Sequence, residues 1–305
     1  MAEVTLRPMT LGQVLDTTFG LYKRNFWLFV GITALPFLLI LFFQIAGAVL
    51  GTSSIQPGKP PAISAGLVGG LAVGVVVGVI LYLLIFGYTQ AATIFAVSDL
   101  YLGRVATVRG SFAKVGAKIL RIMLIFLLIV IAVILAIFAV ALMAGILGAI
   151  TGSPLIVGVL FILGGIAALV LFCRLALWIP AAMLENAGAL TSFQRSIHLT
   201  KGYAMRIFLI YFLVFVLAYA AILIFQLPFL AMGVKAAVEH RALPLGMVVL
   251  QHLGTFVSQV LVGPIGTIAT SLMYYNLRVR KEAFDIQHLM DSLQDNPSSD
   301  APAAI

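Results

Sequence analysis

Residues 119–148 read ILRIMLIFLLIVIAVILAIFAVALMAGILG. After Arg121 not one charged or amide side chain interrupts the run. As a helix at about 1.5 Å per residue it would extend about 45 Å, against roughly 30 Å for the hydrocarbon core of a bilayer. Working outward, five further stretches have the same character, near 26–50, 67–97, 155–184, 204–232 and 245–277. Each reaches the roughly 20 residues that a transmembrane helix needs, and the longer ones permit tilt or bending. Pro36, Pro180, Pro228 and Pro264 are the expected bend sites. The pattern predicts an all-α, polytopic membrane protein with six transmembrane helices in one domain over 1–277. A polar tail, partly disordered, is expected over 278–305.

Composition agrees. Of 305 residues, 63% are hydrophobic and 9% charged, against roughly 45–50% apolar and about 25% charged in soluble domains. So few charges cannot cover a water-soluble globule of this size, which excludes that class. The lone cysteine, Cys173, excludes an intramolecular disulfide and a cysteine-based metal cluster. The first apolar run begins at Phe26 and is too long for a cleaved signal, and no small-residue cleavage site follows it.

The net charge of +8 is best read by position. Arg7, Lys23 and Arg24 precede the first span, and Arg104, Arg109, Lys114, Lys118 and Arg121 follow the second. Arg174, Arg195, Lys201 and Arg206 cluster between the fourth and fifth, while Arg278, Arg280 and Lys281 follow the sixth. Only Lys59, Lys235 and Arg241 fall on the other side. Fifteen against three predicts that both termini are cytoplasmic. Basic residues spread over several short segments in this way also argue against nucleic acid as a partner. They point to anionic headgroups instead, with Lys23, Arg24, Arg174, Arg195 and Lys201 as expected lipid contacts.

The segments on the basic side repeat a design. Leu11, Val14, Leu15, Thr18, Phe19 and Tyr22 form one helical stripe, and Thr10 with Gln13 makes a capping box at its start. Val105, Val108, Phe112, Val115 and Ile119 form a second stripe among Arg109, Lys114 and Lys118. A third copy is expected from Thr191, Gln194, Phe193 and Ile197, again with a capping box at its start. The chain thus reads as three hairpins, each preceded by an amphipathic helix on the cytoplasmic surface. Anchoring is the simpler role for these helices, and docking of a cytoplasmic protein partner is the sharper one.

Inside the membrane the chemistry is thin. All ten acidic residues fall in loops, tails or span ends, leaving no buried carboxylate to carry a proton or bind sodium. The four histidines do not converge, and no hydrolase or nucleotide-binding motif occurs. Neither a catalytic residue, a metal site nor a cofactor is implied. Gly66, Gly70, Gly74 and Gly78 recur every fourth residue, a face on which a neighbouring helix can approach closely. Gln44, Gln226, His252 and Gln259 are candidates for a polar pocket opening outward, or for hydrogen bonds between spans. Thr89, Gln90 and Thr93 present the same alternatives on the inner side.

Three segments carry a resemblance. LRPMTLGQVLD over 6–16, with Phe19, Tyr22, Lys23, Arg24, Asn25, Phe26 and Trp27, resembles the opening of the bacterial glycerophosphoryl diester phosphodiesterase membrane-domain family. FQRSIHLTKG over 193–202 and YYNLRVRKEAFD over 274–285 are similar to its later segments. Asn276 stands where that family usually has Asp, and Ala283 where it usually has Gly. Ile197 and His198 replace an aromatic. The resemblance implies a multi-span bacterial inner-membrane protein and transfers no catalytic residue; the short tail after the sixth span leaves no room for a phosphodiesterase domain. The expectation is a non-enzymatic membrane module that scaffolds or regulates a partner in envelope or lipid metabolism. The alternative is a transporter or flippase for a lipid-like or amphiphilic substrate.

Overall fold

The computed structural model describes residues 8–54, 65–116, 118–185, 187–239, 244–283 and Ile286. Ten helices carry the described chain: α1 (Leu11–Arg24), α2 (Phe26–Ser54), α3 (Ala65–Tyr101), α4 (Val108–Gly116), α5 (Ile119–Thr151), α6 (Pro154–Leu175), α7 (Trp178–Leu184), α8 (Ala189–Thr200), α9 (Ala204–Val238) and α10 (Leu245–Glu282). No strand occurs among the described residues. Five stretches are long and apolar enough to cross a bilayer: Phe26–Val49, Val77–Tyr101, Pro154–Leu184, Ala204–Ile224 and Leu245–Glu282. α5 is a continuous helix of 33 residues, with a shorter apolar stretch over Phe138–Thr151.

The helices are packed unevenly. Buried side chains gather at the end of the molecule that holds α1, α4, α7 and α8, together with the start of α9 and the last half of α10. Phe29, Ile32, Ile94, Ile125, Leu177, Leu199, Ile207, Ile268, Leu272 and Tyr274 lie almost wholly inside it. Toward the other end, α5, α6 and α9 expose leucine, isoleucine and phenylalanine along their length. Against lipid such exposure carries no penalty, because the tails are as apolar as the side chains. α10 is the central element, touching α1, α2, α3, α7, α8 and α9.

Local signals explain several boundaries. The Thr10–Gln13 capping box forms as expected: the Thr10 N–H donates to Gln13 Oε1 at 2.8 Å, and the Gln13 N–H donates to Thr10 Oγ1 at 3.3 Å. α1 closes with Lys23 and Arg24 in its last turn, where cations oppose the helix dipole. The third capping box does not form. α8 starts at Ala189 with the extended Gly188 as its cap, so Thr191 and Gln194 lie within the helix. Trp178 drives this earlier start, its indole N–H donating to the Ala189 carbonyl at 2.8 Å. The second stripe is also shorter than expected. Val105 precedes α4 and is exposed, Ile119 belongs to α5, and the Thr107 hydroxyl caps α4 by accepting the Gly110 N–H at 3.1 Å.

The fourth apolar run divides into α6 and α7 around Ala176 and Leu177. Pro180 has no N–H to give the Ala176 carbonyl four residues back. Tyr211 from α9 supplies the donor at 3.2 Å. Residues 278–282 continue α10 rather than beginning a tail. In the tail, Ile286, Leu289, Met290 and Leu293 are spaced as one helical stripe would be, and the last three of them lie outside the described residues.

At the described glycines of the α3 stripe no neighbouring helix approaches closely. A Cβ at Gly74 or Gly78 would meet nothing within 4 Å; the surroundings of Gly66 and Gly70 lie outside what is described. A Cβ at Gly148 would come within 2.6 Å of Val157 Cγ2, and one at Gly164 within 2.7 Å of Val140 Cγ1. The period-four spacing identified a face without identifying a neighbour. The α5–α6 hairpin needs small residues at both positions, and α9–α10 needs one at Gly254, where a Cβ would come within 2.9 Å of Phe229. Gly164→Leu is therefore expected to lower stability in detergent by about 1–3 kcal/mol through overpacking. Gly74→Leu should stay within about 0.5 kcal/mol of the parent. Thermal melts of the two variants side by side check the assignment, and the reverse order would contradict it.

Candidate functional site

Three polar assemblies converge where α10 ends. The first ties the N-terminal segment to α10. Met9 donates its N–H to Asn276 Oδ1 at 2.9 Å, and Asn276 Nδ2 donates to the Met9 carbonyl at 3.3 Å. Asn276 is completely buried, and its amide matches one peptide unit at both donor and acceptor. The same Met9 carbonyl accepts from Arg280 at 2.9 Å and from Arg206 of α9. Arg280 Nε also donates to Asn276 Oδ1 at 3.3 Å.

The second assembly joins α7, α8 and α10 through charges. Arg195 donates from Nε to both oxygens of Glu185, at 3.0 and 2.8 Å, and from its terminal nitrogen to Glu282 at 2.7 Å. Arg278 donates to Glu282 at 3.2 Å and lies 3.8 Å from Glu185. Tyr274 donates its hydroxyl to Glu185 at 2.5 Å, beneath the Arg278 guanidinium. Burial opposes the charge on Arg195, but its hydrogen bonds to Glu185 and Glu282 and their negative charge outweigh that cost and raise its pKa. Two arginines and two glutamates thus balance one another. Arg195 is consequently engaged with carboxylates instead of reaching for headgroups as the sequence led us to expect.

The third assembly caps α8. Lys281 donates to the carbonyls of His198 and Lys201 at 2.6 and 2.8 Å, placing a cation on the negative end of the helix dipole. Ser196 donates to the Arg174 carbonyl at 2.7 Å, tying α8 to the end of α6. Lys201 is exposed beside them and Arg174 is half-buried; Lys23 and Arg24 are exposed at the end of α1 next to Trp27, which is 81% exposed. These four cations keep positions compatible with headgroup contact.

Between α2, α3 and α10 lies a small cavity of mixed lining, in which Thr33, Thr89, Gln90, Thr93, Gln259 and Thr267 meet Phe37, Phe86, Gly263 and Pro264, with about 20 Å³ open to the centre of a water molecule. That is room for about one water. Thr267 donates to Gln90 Oε1, while Thr33, Thr89 and Thr93 return their hydroxyls to carbonyls of their own helices. The four outer candidates are not gathered into one pocket. Gln259 lines this cavity with the inner-side set, Gln226 donates to Thr255 at 2.8 Å, and Gln44 and His252 are half-buried elsewhere. Sequence reading placed Gln259 and Gln90 in separate groups because helix register alone does not say which turns of two spans meet.

Asp99 corrects the expectation that no carboxylate is buried, because α3 and its apolar stretch Val77–Tyr101 extend past residue 97 and carry it inside. It lies within the last turns of α3, buried, and pairs with Lys114 of α4 at 2.5 Å. Comparison with protein-family profiles, curated proteins and solved structures finds no match to the chain.

Glu185 is the hinge of the charge cluster, since Arg195, Arg278 and Tyr274 all turn to it. Glu185→Ala is expected to cost about 2 kcal/mol, within the range for a lost charge-assisted hydrogen bond and short of a fully buried pair. Thermal unfolding in detergent checks the cost. An unchanged midpoint would mean that the cluster contributes nothing to cohesion.

Proposed function

We propose that the chain is a six-span module of the bacterial inner membrane, arranged as three hairpins whose packed end faces the cytoplasm, and that it acts as a non-enzymatic scaffold or regulatory partner in envelope or lipid metabolism. The hairpins are α2–α3, α5 with α6 and α7, and α9–α10, with α1, α4 and α8 as the surface helices that introduce them. What supports the orientation is the fifteen-to-three division of basic residues. The resemblance of 6–27, 193–202 and 274–285 to the phosphodiesterase membrane-domain family supports the bacterial assignment and membership of that family.

The observation that carries the functional reading is the cohesion of the packed end. Surface helices α1 and α8 are fastened to the last turns of α10 by side-chain hydrogen bonds and ion pairs, and α4 to α3 by Lys114 and Asp99. Around this hub Trp27, Val105, Leu190 and Met205 are all at least 70% exposed, a ring of apolar side chains suited to the headgroup level. The exposed polar face of α1, with Gln13 and Asp16, then faces the cytoplasm as a docking surface. For transport of an amphiphile, the cavity between α2, α3 and α10 is the relevant feature. Its volume suits a water molecule rather than a lipid.

Cys173 is buried and is the sole cysteine, so Cys173→Ala provides a background for single-cysteine labelling. Cysteine at Gln13 or Arg109 is expected to react with a membrane-impermeant maleimide only after permeabilisation, and cysteine at Lys235 in intact cells. The opposite pattern would invert the orientation. A photo-crosslinking residue at Asp16 should yield a discrete protein adduct in cells. Flux of a labelled phospholipid through proteoliposomes holding the purified chain alone, with no such adduct, would replace the scaffold with a transporter.

A further inference from the structure

The cations at the end of α10 meet three different fates. Arg278 shares Glu185 and Glu282 with Arg195, charge for charge. Lys281 rests on the carbonyl end of α8. Arg280 and Arg206 are opposed by no carboxylate among the described residues; both point at one neutral oxygen, the Met9 carbonyl, and Arg280 adds only the Asn276 amide oxygen. Two guanidiniums held against a single carbonyl repel each other, and most of their N–H donors meet no acceptor among the described residues. Arg206 Nε is moreover buried and makes no hydrogen bond to them. Arg280 is exposed, so the pair opens to the surface.

Planar forks directed at a common point are the geometry that recognises a tetrahedral oxyanion, two N–H groups to two oxygens. Both arginines are fixed from below. Asn276 and Met9 hold the floor, and α9 begins at Ala204, two residues before Arg206, so the positive end of its dipole adds to the field. We propose that Arg206 and Arg280, above the Met9 carbonyl, form a phosphate-binding site whose ligand is the phosphate of an anionic glycerophospholipid. Its location in the inner leaflet rests on the orientation proposed above; the binding itself does not.

The test uses the full chain purified in an uncharged detergent, with short-chain phosphatidylglycerol, glycerol 3-phosphate and inorganic phosphate as probes. Binding is read by native mass spectrometry and by the shift in melting temperature. Saturable binding of one phosphatidylglycerol, weakened at least tenfold by Arg280→Gln, is expected. Asn276→Asp sets a carboxylate beside the Arg280 guanidinium without removing bulk. It should weaken binding to the same degree, and Arg280→Gln, which leaves both bonds between Met9 and Asn276 in place, should keep the melting temperature without ligand level, which separates loss of the site from loss of the fold. Arg104→Gln with Arg109→Gln, two exposed cations away from the site, should leave binding unchanged, distinguishing the site from general attraction to anionic lipid.

Equal binding of glycerol 3-phosphate would keep the phosphate site and overturn the lipid source. Absence of binding to all three probes would overturn the site, as would equal binding by Arg280→Gln and Asn276→Asp. Binding gained only on Glu3→Gln or Asp285→Asn would show that the chain's own carboxylate fills the position, and would overturn it too. None of these results depends on a protein partner or on which leaflet the site faces, so they stand apart from the tests of the scaffold reading.

Discussion

Lipid offers apolar helices no reward for leaving it, and this constraint shapes the whole molecule. Side chains such as Leu135, Phe161 and Leu217 are as well solvated by acyl chains as by one another, so the spans have little reason to close over their full length. Cohesion must come from polar contacts and from apolar surface that would otherwise meet water. Both are concentrated at one end. There α10 exchanges hydrogen bonds or ion pairs with the N-terminal segment, α3, α8 and α9. The halves away from it depend more on shape, as where Gly148 and Gly164 let α5 and α6 touch.

The same scarcity of water governs the backbone. A proline inside a helix leaves a carbonyl without its donor, and within a membrane the substitute must come from the protein. A tyrosine supplies it at Pro180. Tyr211 reaches the Ala176 carbonyl four residues before that proline and shares its hydroxyl with Thr270. At the Pro264 bend, Tyr22 of α1 donates to the Leu261 carbonyl at 2.7 Å, one residue on from Val260, whose carbonyl faces the proline. Each bend is thereby tied to a neighbouring helix. The Tyr22 contact fastens a surface helix to the middle of a span, so that α1 is secured at Met9, along its Val14 face and again at Tyr22.

Long-period features of the fold were legible in the sequence. Uninterrupted apolar runs gave helix positions to within a few residues at α2, α3, α5, α9 and α10, because a span needs only length and absence of charge. The Thr10–Gln13 box was equally readable, since both partners are three residues apart on one strand of chain. What could not be read were contacts set by the relative height and rotation of two helices. Gln259 shares a cavity with Gln90 and Thr267, Arg195 turns to Glu185 and Glu282, and the glycine stripe of α3 has open space at Gly74 and Gly78. The start of α8 escaped for a related reason: Trp178, eleven residues upstream of Ala189, fixes it by a tertiary bond that no local signal announces.

The distribution of bonds also bears on which motions the chain can support. Rocking two halves about a central site requires an interface at each end that opens at modest cost. At the packed end, separating α8 from α10 would break the contacts of Arg195 with Glu282 and of Lys281 with two carbonyls. Pulling the N-terminal segment from α10 would break both bonds between Met9 and Asn276 and strand a buried amide. At the far end, by contrast, α9 and α10 are joined by Gln226 with Thr255 and by the fit of Phe229 against Gly254. Any displacement of low cost therefore belongs to the far half and pivots on the packed hub. A hub that stays closed while its spans flex suits a protein that presents a constant surface to a partner better than one that must expose a site alternately to two sides.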